Sequence, residues 1–564
     1  MRILTTEEVR QAEHEAINRP QMSSLILRHR AGHAVNQFCV AHFNFRSVCV
    51  VCGKGNNGAV GLAAAENLRK IAAETYVIIL AQEASELSAD AAAMCSRLNL
   101  QPVWVADESD FDTEAVKEAL GADLIVDAII GKGLKPPLKG LAVKAVEAIN
   151  DSFGTIVSVD VPTGVDADSK TPAHKSGDDV VFAHGIISFV APKPAHVFGE
   201  LTSGPIAVSE IGVPPVLVPH STGLGVITGQ EVGITFPLRL PEAHQSQFGD
   251  VLVIAGSLGQ AGAAGLAGMA ALRTGASSVT VACPKSIQAM VAGVAPELMT
   301  QGLKETEEGT IAMEASDQLG CLMAGKDAVV LGPGLSRNPE TARLARELVA
   351  RCRQPMVLDS DGLNAFEGHY LELKRQGDAA PFCVLTPDLE QAARLTGGST
   401  SDIHANRREV ARRISSETSS CVVLKGWRTV VAGLSGETWL NLTGNSSLAK
   451  ASSPNVLSGM IGAALTRHAG SRLPAGGRSS FSKSNSQTKG AEEERLQGNP
   501  GKASAFIKDV NVAAAVYLYG LAADIVREVL HENTVLATDV LDNLSDAFRE
   551  CDLQRDRGLF YLRK

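Results

Sequence analysis

Residues 46–70, RSVCVVCGKGNNGAVGLAAAENLRK, pass from a β-branched apolar run into a glycine–asparagine loop and then into an alanine-rich stretch of helical character. An apolar run of this kind marks a strand buried on both faces, as in a parallel sheet covered by helices. The alternation returns at TYVIILA, ADLIVDAIIGKGL, TIVSVDVPTGVDAD and VVFAHGIISFVAPKP. It starts afresh beyond residue 246 at FGDVLVIAGSLGQAGAA, DAVVLGPGL, PMVLDSDGLNAF, FCVLTPDLEQAARL and CVVLKGWRT. Strands alternating with helices predict doubly wound α/β architecture. Ligands of such sheets bind outside the carboxyl ends of the strands, so the loops that close these runs are where chemistry should gather.

A chain of 564 residues exceeds what one core holds, and two such series of strands predict two domains. The boundaries read as 1–215 for the first domain, 216–240 for a Pro- and Gly-rich connection, and 241–564 for the second. Residues 1–30 predict an amphipathic helix that Thr5 or Thr6 caps. Residues 469–506 are Ser-, Gly- and Lys-rich with few apolar anchors, which predicts a disordered insertion. The formal net charge of −10 speaks against a general nucleic-acid binder but not against a phosphate-bearing ligand held by backbone amides. The ten cysteines show no Cys/His cluster of zinc spacing and are expected to be reduced. The opening residues carry no apolar signal core, and no uncharged apolar run looks long enough for a bilayer. The expectation is a cytoplasmic homo-oligomer with no membrane partner.

In the first half, GKGNNG at 53–58 follows a strand and opens a helix. Glycines there let the backbone approach a phosphate, although a plain tight turn has the same composition. Asp127 closes LIVDA before GKGLKPP, and Asp160 closes VSVD with Thr163 three residues on. Together with APKPAHVFG, these strings occur in the order of the NAD(P)H-hydrate epimerases, and residues 1–215 resemble that family. The resemblance implies that Asn57, Asp127 and Thr163 hold a potassium ion. It implies substrate contacts from Asn56, Asn57, Gly58, the loop Gly131, Lys132, Gly133, Leu134, Lys135, Pro136 and Pro137, and from Asp160, which also serves catalysis. Two positions depart from the family's NNGGDG: Ala59 and Val60 stand where it has glycine and aspartate. A positive φ at position 59 would cost an alanine on the order of 1 kcal/mol.

The second half resembles the ADP-dependent NAD(P)H-hydrate dehydratases, a ribokinase-like α/β family, through FGDVLVIAGSLGQAGAA, LGPGLSR, LDSDGLNAF, VVLKGWRT and GNSSLAKASSPNVLSGMIGAAL. The resemblance implies that Lys425, Gly426, Trp427, Arg428, Thr429 and Pro454 bind the adenine nucleotide with Mg²⁺. It also implies that Ala263, Gly334 and Asp388 meet the hydrate, and that position 455 is catalytic. Asp359 and Asp361 suit either Mg²⁺-nucleotide binding or the capping of the next helix. Here too there are departures. Asp388 stands where the family has histidine, and SSPN at 452–455 stands where it has GTGD, so that Asn455 replaces the expected base and Pro454 has no N–H to offer an oxyanion. Three readings follow: a bifunctional repair enzyme for hydrated NAD(P)H that uses ADP, with activity weakened by these substitutions; an impaired relative that still binds adenine nucleotide or hydrate; and a ribokinase-like small-molecule kinase.

Overall fold

A computed structural model describes the chain except for residues 21, 174–178, 219–222, 240, 375–380, 468–499 and 564. It forms two compact units, Met1–Thr222 with Gln554–Lys564, and Gly223–Leu553.

The first unit is built on an eight-stranded sheet. Its strands are β1 (Ser47–Cys52), β2 (Glu74–Ile79), β3 (Val103–Trp104), β4 (Leu124–Ala128), β5 (Thr155–Val159), β6 (Gly185–Phe189), β7 (Ile206–Ser209) and β18 (Leu559–Arg563). They lie in the order β18-β7-β6-β5-β4-β1-β2-β3. The order reverses direction at β1, which is flanked by β2 on one side and β4 on the other, both parallel to it. That switch point opens a crevice beyond the strand ends. β1 is buried from Val48 onward, as its uninterrupted apolar run requires. Cys49 and Cys52 have C-x-x-C spacing, but the strand's period of two sends them into apolar clusters on opposite faces. Both are free thiols, and burial pushes both of them up.

The second unit carries a ten-stranded sheet. Its strands are β8 (Leu224–Val226), β9 (Asp250–Ile254), β10 (Ser278–Pro284), β11 (Met299–Leu303), β12 (Ala328–Leu331), β13 (Met356–Leu358), β14 (Cys383–Leu385), β15 (Cys421–Leu424), β16 (Val430–Ala432) and β17 (Thr438–Leu440). The order β11-β10-β9-β12-β13-β14-β15-β16-β17-β8 is parallel from β11 to β15, and β16 is antiparallel to both its neighbours. The helix Ser453–Leu465 is buried over almost its whole length and packs on Ala261–Arg273. Contact is close because Gly459 lacks a side chain: a Cβ there would stand 2.0 Å from the Ala267 carbonyl oxygen.

The structure corrects several sequence expectations. Residues 1–30 are not one helix: Thr6–Ile17 and Ser24–His42 are separate, with Pro20 in the break. Thr5 does cap the first helix, reciprocally with Glu8. Part of the expected 216–240 connection is structured, since β8 pairs with β17 and Thr228 and Glu231 form a capping box. The 241–564 segment does not stay whole, because β18 pairs antiparallel with β7 in the first sheet. Of the expected disordered insertion, 469–499 lies outside the described residues, whereas 500–506 opens the 30-residue helix Pro500–Val529. That helix is long and apolar enough by composition to cross a membrane although charged residues flank its uncharged run 510–523, and 89% of its apolar window is buried inside the protein.

Candidate functional sites

At the carboxyl ends of β1, β4 and β5, buried carboxylates and cations meet at a cavity of about 690 Å³. Asp127, the penultimate residue of β4, is fully buried. Its carboxylate accepts hydrogen bonds from Ser158 Oγ (2.9 Å), Thr163 N (2.9 Å), Thr163 Oγ1 (2.6 Å) and Ile129 N (3.3 Å). Burial pushes the Asp127 carboxyl up despite these bonds, as expected where no cation faces it. The Thr163 hydroxyl also lies 3.2 Å from the Ile130 carbonyl, so it has a second acceptor to turn to. Asn57 Nδ2 donates to the Val159 carbonyl at 3.3 Å. Asn57 Oδ1 and Asp160 Oδ2 both close on Gly131, where a Cβ would stand 2.8 Å and 3.1 Å from them. Asp127 and Thr163 thus form one buried pair, while Asn57 stands with Asp160 at Gly131; all three carry hard oxygen donors of the kind an alkali or alkaline-earth cation takes.

Asp160 holds a left-handed backbone at φ 71°, a strained conformation for a non-glycine residue. Its carboxylate accepts from Lys193 Nζ at 2.6 Å, Ser188 Oγ at 3.0 Å and Lys132 N at 3.1 Å, while its carbonyl meets His196 Nε2 at 2.6 Å. Burial alone would raise this carboxyl, but Lys193 and Lys132 hold it well below the usual carboxylate range. Burial, with Lys193 beside it, holds His196 down to about 4, so the imidazole is neutral near pH 7. Lys132 Nζ binds Glu13 at 2.5 Å, and burial lowers its ammonium. The Arg28 guanidinium lies 3.8 Å from Glu13 and 3.4 Å from Asp90.

The cavity is lined by Arg10, Arg28, Lys54, Lys132 and Lys139 against only two acids, Glu13 and Asp160. Basic groups dominate it although the whole chain is acidic, which suits a polyanionic ligand. Asn56, Asn57, Gly131, Lys132 and Gly133 reach this lining. Leu134 instead packs against an apolar cluster, and Lys135, Pro136 and Pro137 are exposed away from the cavity walls. Gly58 lets the loop fold on itself, since a Cβ there would stand 1.8 Å from the Gly53 carbonyl oxygen. Ala59 lies inside the helix Asn56–Leu68 and is absent from the positive-φ residues, so the expected backbone penalty does not arise. Val60 is buried and contributes to the cavity wall. Sequence reasoning missed Glu13, Arg28, Lys193 and His196. Only Lys193 and His196 sat in a string already singled out.

In the second unit, a buried knot ties the carboxyl ends of β13, β14 and β15. Asp359 Oδ1 accepts from Lys425 Nζ at 2.8 Å and from Thr386 Oγ1 at 2.6 Å. Among the described residues, the buried Asp359 Oδ2 has no hydrogen-bond partner. Asp361 plays another part, accepting from Ser336 N at 2.9 Å and Asn364 Nδ2 at 3.0 Å, and so pins the loop after β12. Ala263 and Gly334 adjoin: a Cβ on Gly334, which sits at φ 65°, would come 2.9 Å from that of Ala263. Asp388, the residue that stands where the family has histidine, has a structural part as well. It is the N-cap of Leu389–Thr396 and accepts from Gln391 N at 2.7 Å.

Ser452 caps the helix that contains SSPN, without a side-chain bond. In its first turn Ser453 N is spent on the Lys450 carbonyl at 3.1 Å, Pro454 has no N–H, and Asn455 N turns back to Ser452 O at 3.3 Å. Asn455 is buried. Ser453 also bonds the Tyr519 hydroxyl, which burial and the Asp359 charge push up, so this helix start and the Asp359–Lys425 pair are neighbours. Gly426, Trp427, Arg428 and Thr429 follow Lys425 as an exposed loop, in which Thr429 Oγ1 donates to Gly426 O at 3.0 Å.

Comparison with known proteins places both halves. Residues 251–508 match the NAD(P)H-hydrate dehydratase family, and residues 24–195 match the YjeF-related protein N-terminus family. The bifunctional NAD(P)H-hydrate repair enzyme of Moorella thermoacetica is 33% identical over 82% of this chain and 87% of its own length. That of Escherichia coli is 30% identical over 81% and 84%. Among solved structures, an ADP/ATP-dependent NAD(P)H-hydrate dehydratase from Bacillus subtilis, crystallised with ATP and Mg²⁺, is 24% identical with a TM-score of 0.44, covering 59% of this chain and 100% of that one. With two matched families in the same order and one-third identity across most of its length, this chain belongs to the bifunctional NAD(P)H-hydrate repair enzymes.

Proposed function

We propose that the chain interconverts the epimers of hydrated NADH or NADPH in its first unit, and dehydrates the S form at the expense of ADP in its second, the latter slowly. The observation that carries the first activity is that Asn57 and Asp160 line a cation-rich cavity, with the Thr163–Asp127 pair bonded behind its Ile130 wall and Lys193 behind Asp160. A potassium ion bound by Asn57, Asp127 and Thr163 would supply positive charge for ordering a dinucleotide. The Asp127 carboxylate is desolvated without a cationic partner, and turning the Thr163 hydroxyl to Ile130 O frees one of its oxygens. Lys132 and Arg28 neutralise phosphate charge, and the backbone of Gly131 admits the substrate beside Asp160. Asp160, kept ionised by Lys193 and Lys132, is placed to stabilise positive charge that develops on the hydrated ring.

In the second unit, Lys425 and the loop through Thr429 are suited to the nucleotide. Asp359 Oδ2 is a hard ligand fitting Mg²⁺, which would draw charge from the transferring phosphoryl group. The chain's own residues hold Asp359 in place through Thr386 and Lys425. Proton removal from the substrate hydroxyl falls to position 455, and an asparagine there has no basic oxygen. Slow dehydration follows from that and from the missing first-turn donors, while binding is retained.

The test is an assay of the purified full chain on mixed hydrates. Epimer ratio is followed by chromatography without ADP, and recovery of reduced nucleotide with ADP and Mg²⁺. Equilibration of epimers with slow ADP-dependent recovery is expected. Absence of both activities would sink the reading, and recovery as fast as in an intact relative would remove the claim that Asn455 and Pro454 slow it.

A further inference from the structure

The loop that follows β15 carries an aromatic side chain in an unusual setting. Trp427 is 67% exposed, whereas Trp439, two strands away on β17, is 5% exposed. A large indole left in water is not there to stabilise the fold, since only burial would gain anything from its apolar area. Nor is the loop that displays it loose. The Arg407 guanidinium donates to the carbonyls of Leu424 (3.2 Å), Lys425 (3.3 Å) and Trp427, clamping three of four consecutive residues. Gly426 at φ 132° and Arg428 at φ 56° turn the chain so that neighbours point apart. Lys425 goes inward to Asp359, and Trp427 goes out to solvent. The Arg428 guanidinium carbon lies 4.0 Å from the centre of the Trp427 ring, stacked as a cation over its π face. The strained Arg428 backbone serves that stack, which holds the ring in one orientation.

We propose that Trp427 is a stacking platform for the base of the nucleotide, and that it makes this chain select purine over pyrimidine nucleoside diphosphates. This rests on the reading that the 425–429 loop binds the nucleotide and adds to it a basis for choosing the base. A fixed aromatic face offers a flat partner whose contact grows with the area of the base, and the Arg407 clamp and the Arg428 stack remove the ordering cost before binding. The phosphates are then the concern of Lys425 and its neighbours. Adenine and guanine share the chemistry that a bare π face recognises, so the selection is for the two-ring base as such.

The experiment uses the full chain, calorimetric titration with Mg²⁺ and ADP, UDP or pyrophosphate, and tryptophan emission. Only three tryptophans are present, so one exposed indole gives a readable share of the signal. ADP is expected to quench emission in the wild type but not in Trp427→Phe. ADP is also expected to bind more tightly than UDP. Trp427→Ala should weaken ADP by about 5–150-fold, the range of a lost base–aromatic stack, and leave pyrophosphate unchanged. Trp427→Phe should keep most of the ADP affinity. Equal ADP affinity in wild type and Trp427→Ala would overturn the platform while leaving the nucleotide site standing, as would equal affinity for ADP and UDP in the wild type. No binding of ADP to the wild type would overturn the nucleotide-site reading itself. A loss of pyrophosphate binding in Trp427→Ala matching the loss of ADP would show a collapsed loop and refute a role specific to the base.

Discussion

Asp160 in the first unit and Asp359 in the second stand at equivalent places, just past the end of a central parallel strand, and each is paired with a lysine at 2.6 Å and 2.8 Å respectively. Their second oxygens differ. Asp160 Oδ2 accepts from Lys132 N, on the loop that lines the cavity, so the protein itself completes the carboxylate. Asp359 Oδ2 has no donor among the described residues. A buried oxygen without a donor carries a desolvation cost that a bound group can relieve. Among the described residues the first carboxylate is therefore completed by protein donors, whereas the second leaves one oxygen open. The substitutions follow the same division. In the first unit Val60 alters the cavity wall and Ala59 lies inside the helix, both sparing the Asp127 and Asp160 networks, while in the second Pro454 and Asn455 fall on the positions that the family reserves for the chemistry.

The largest effect should come from repairing the second site. A general base is worth about 10²–10⁴-fold and an oxyanion donor about 10²–10³-fold. Pro454→Gly with Asn455→Asp should raise ADP-dependent dehydration by about four orders of magnitude, with ADP affinity little changed. Single-turnover kinetics alongside calorimetry separates the two. A gain below tenfold would mean that the chemistry at this helix start is not limiting.

Next in size is the cost of breaking the completed pair. Lys193→Met leaves Asp160 buried and charged without its main partner, a change that typically costs about 3–5 kcal/mol. Thermal unfolding should show the first unit melting well below the second. Lys425→Met should cost less, because Lys425 reaches partly into solvent whereas Lys193 is fully buried, so water can reach the place the ammonium leaves. Equal losses would erase the distinction between a completed and an open carboxylate.

The two units should also respond oppositely to pH. Burial holds His196 down to about 4. Between that pH and about 6.5 the unfolded state binds more protons than the folded one, and the first unit gains stability as pH rises. Asp127, pushed up by burial, works against this gain. Asp509 of the second unit accepts from Leu434 N and Ser435 N, and burial pushes it up to about 6 from 3.8. There the folded state holds the proton longer, so the stability linked to it is complete below pH 4 and is lost as pH rises to 6, on the order of 3 kcal/mol. Hydrogen exchange resolved by unit should show opposite slopes. His196→Gln should remove the rise in the first unit, and Asp509→Asn the fall in the second.

The sequence makes the strand series legible because parallel strands buried on both faces cannot hide their β-branched runs. It does not reveal β8 and β18, which are short and gain their identity only from the edges they pair with. Nor does it reveal Glu13 and Arg28: on an amphipathic helix they look like solvated charges, and only tertiary packing turns them toward the cavity. Asp127 and Asp160 could be picked out because they close strand-like runs, and Thr163 because the family resemblance includes it. The capping role of Asp388 was legible too, in Gln391 three residues on, but was not read.

The smallest effect concerns the two substituted residues at the start of the Asn56–Leu68 helix, and it separates what their replacement does. Restoring both to the family pattern is one repair on paper, but the structure divides it. Ala59 is fully buried within the helix and is not among the positive-φ residues, so glycine there gains no conformational relief. Ala59→Gly should instead cost about 0.5–1 kcal/mol through backbone entropy. Val60 lies on the cavity wall that Arg10, Arg28 and Lys54 also line, so an aspartate there would have cationic neighbours and a polar ligand to meet. One hydrogen bond to the substrate is worth about 1 kcal/mol net, or roughly fivefold in affinity. Val60→Asp alone should therefore tighten hydrate binding and quicken epimerisation by about that factor, and adding Ala59→Gly should lower the melting temperature without a further gain in rate. A double variant that outpaces Val60→Asp would show that the helix start must loosen for the reaction, which the Asp160 network as built does not require.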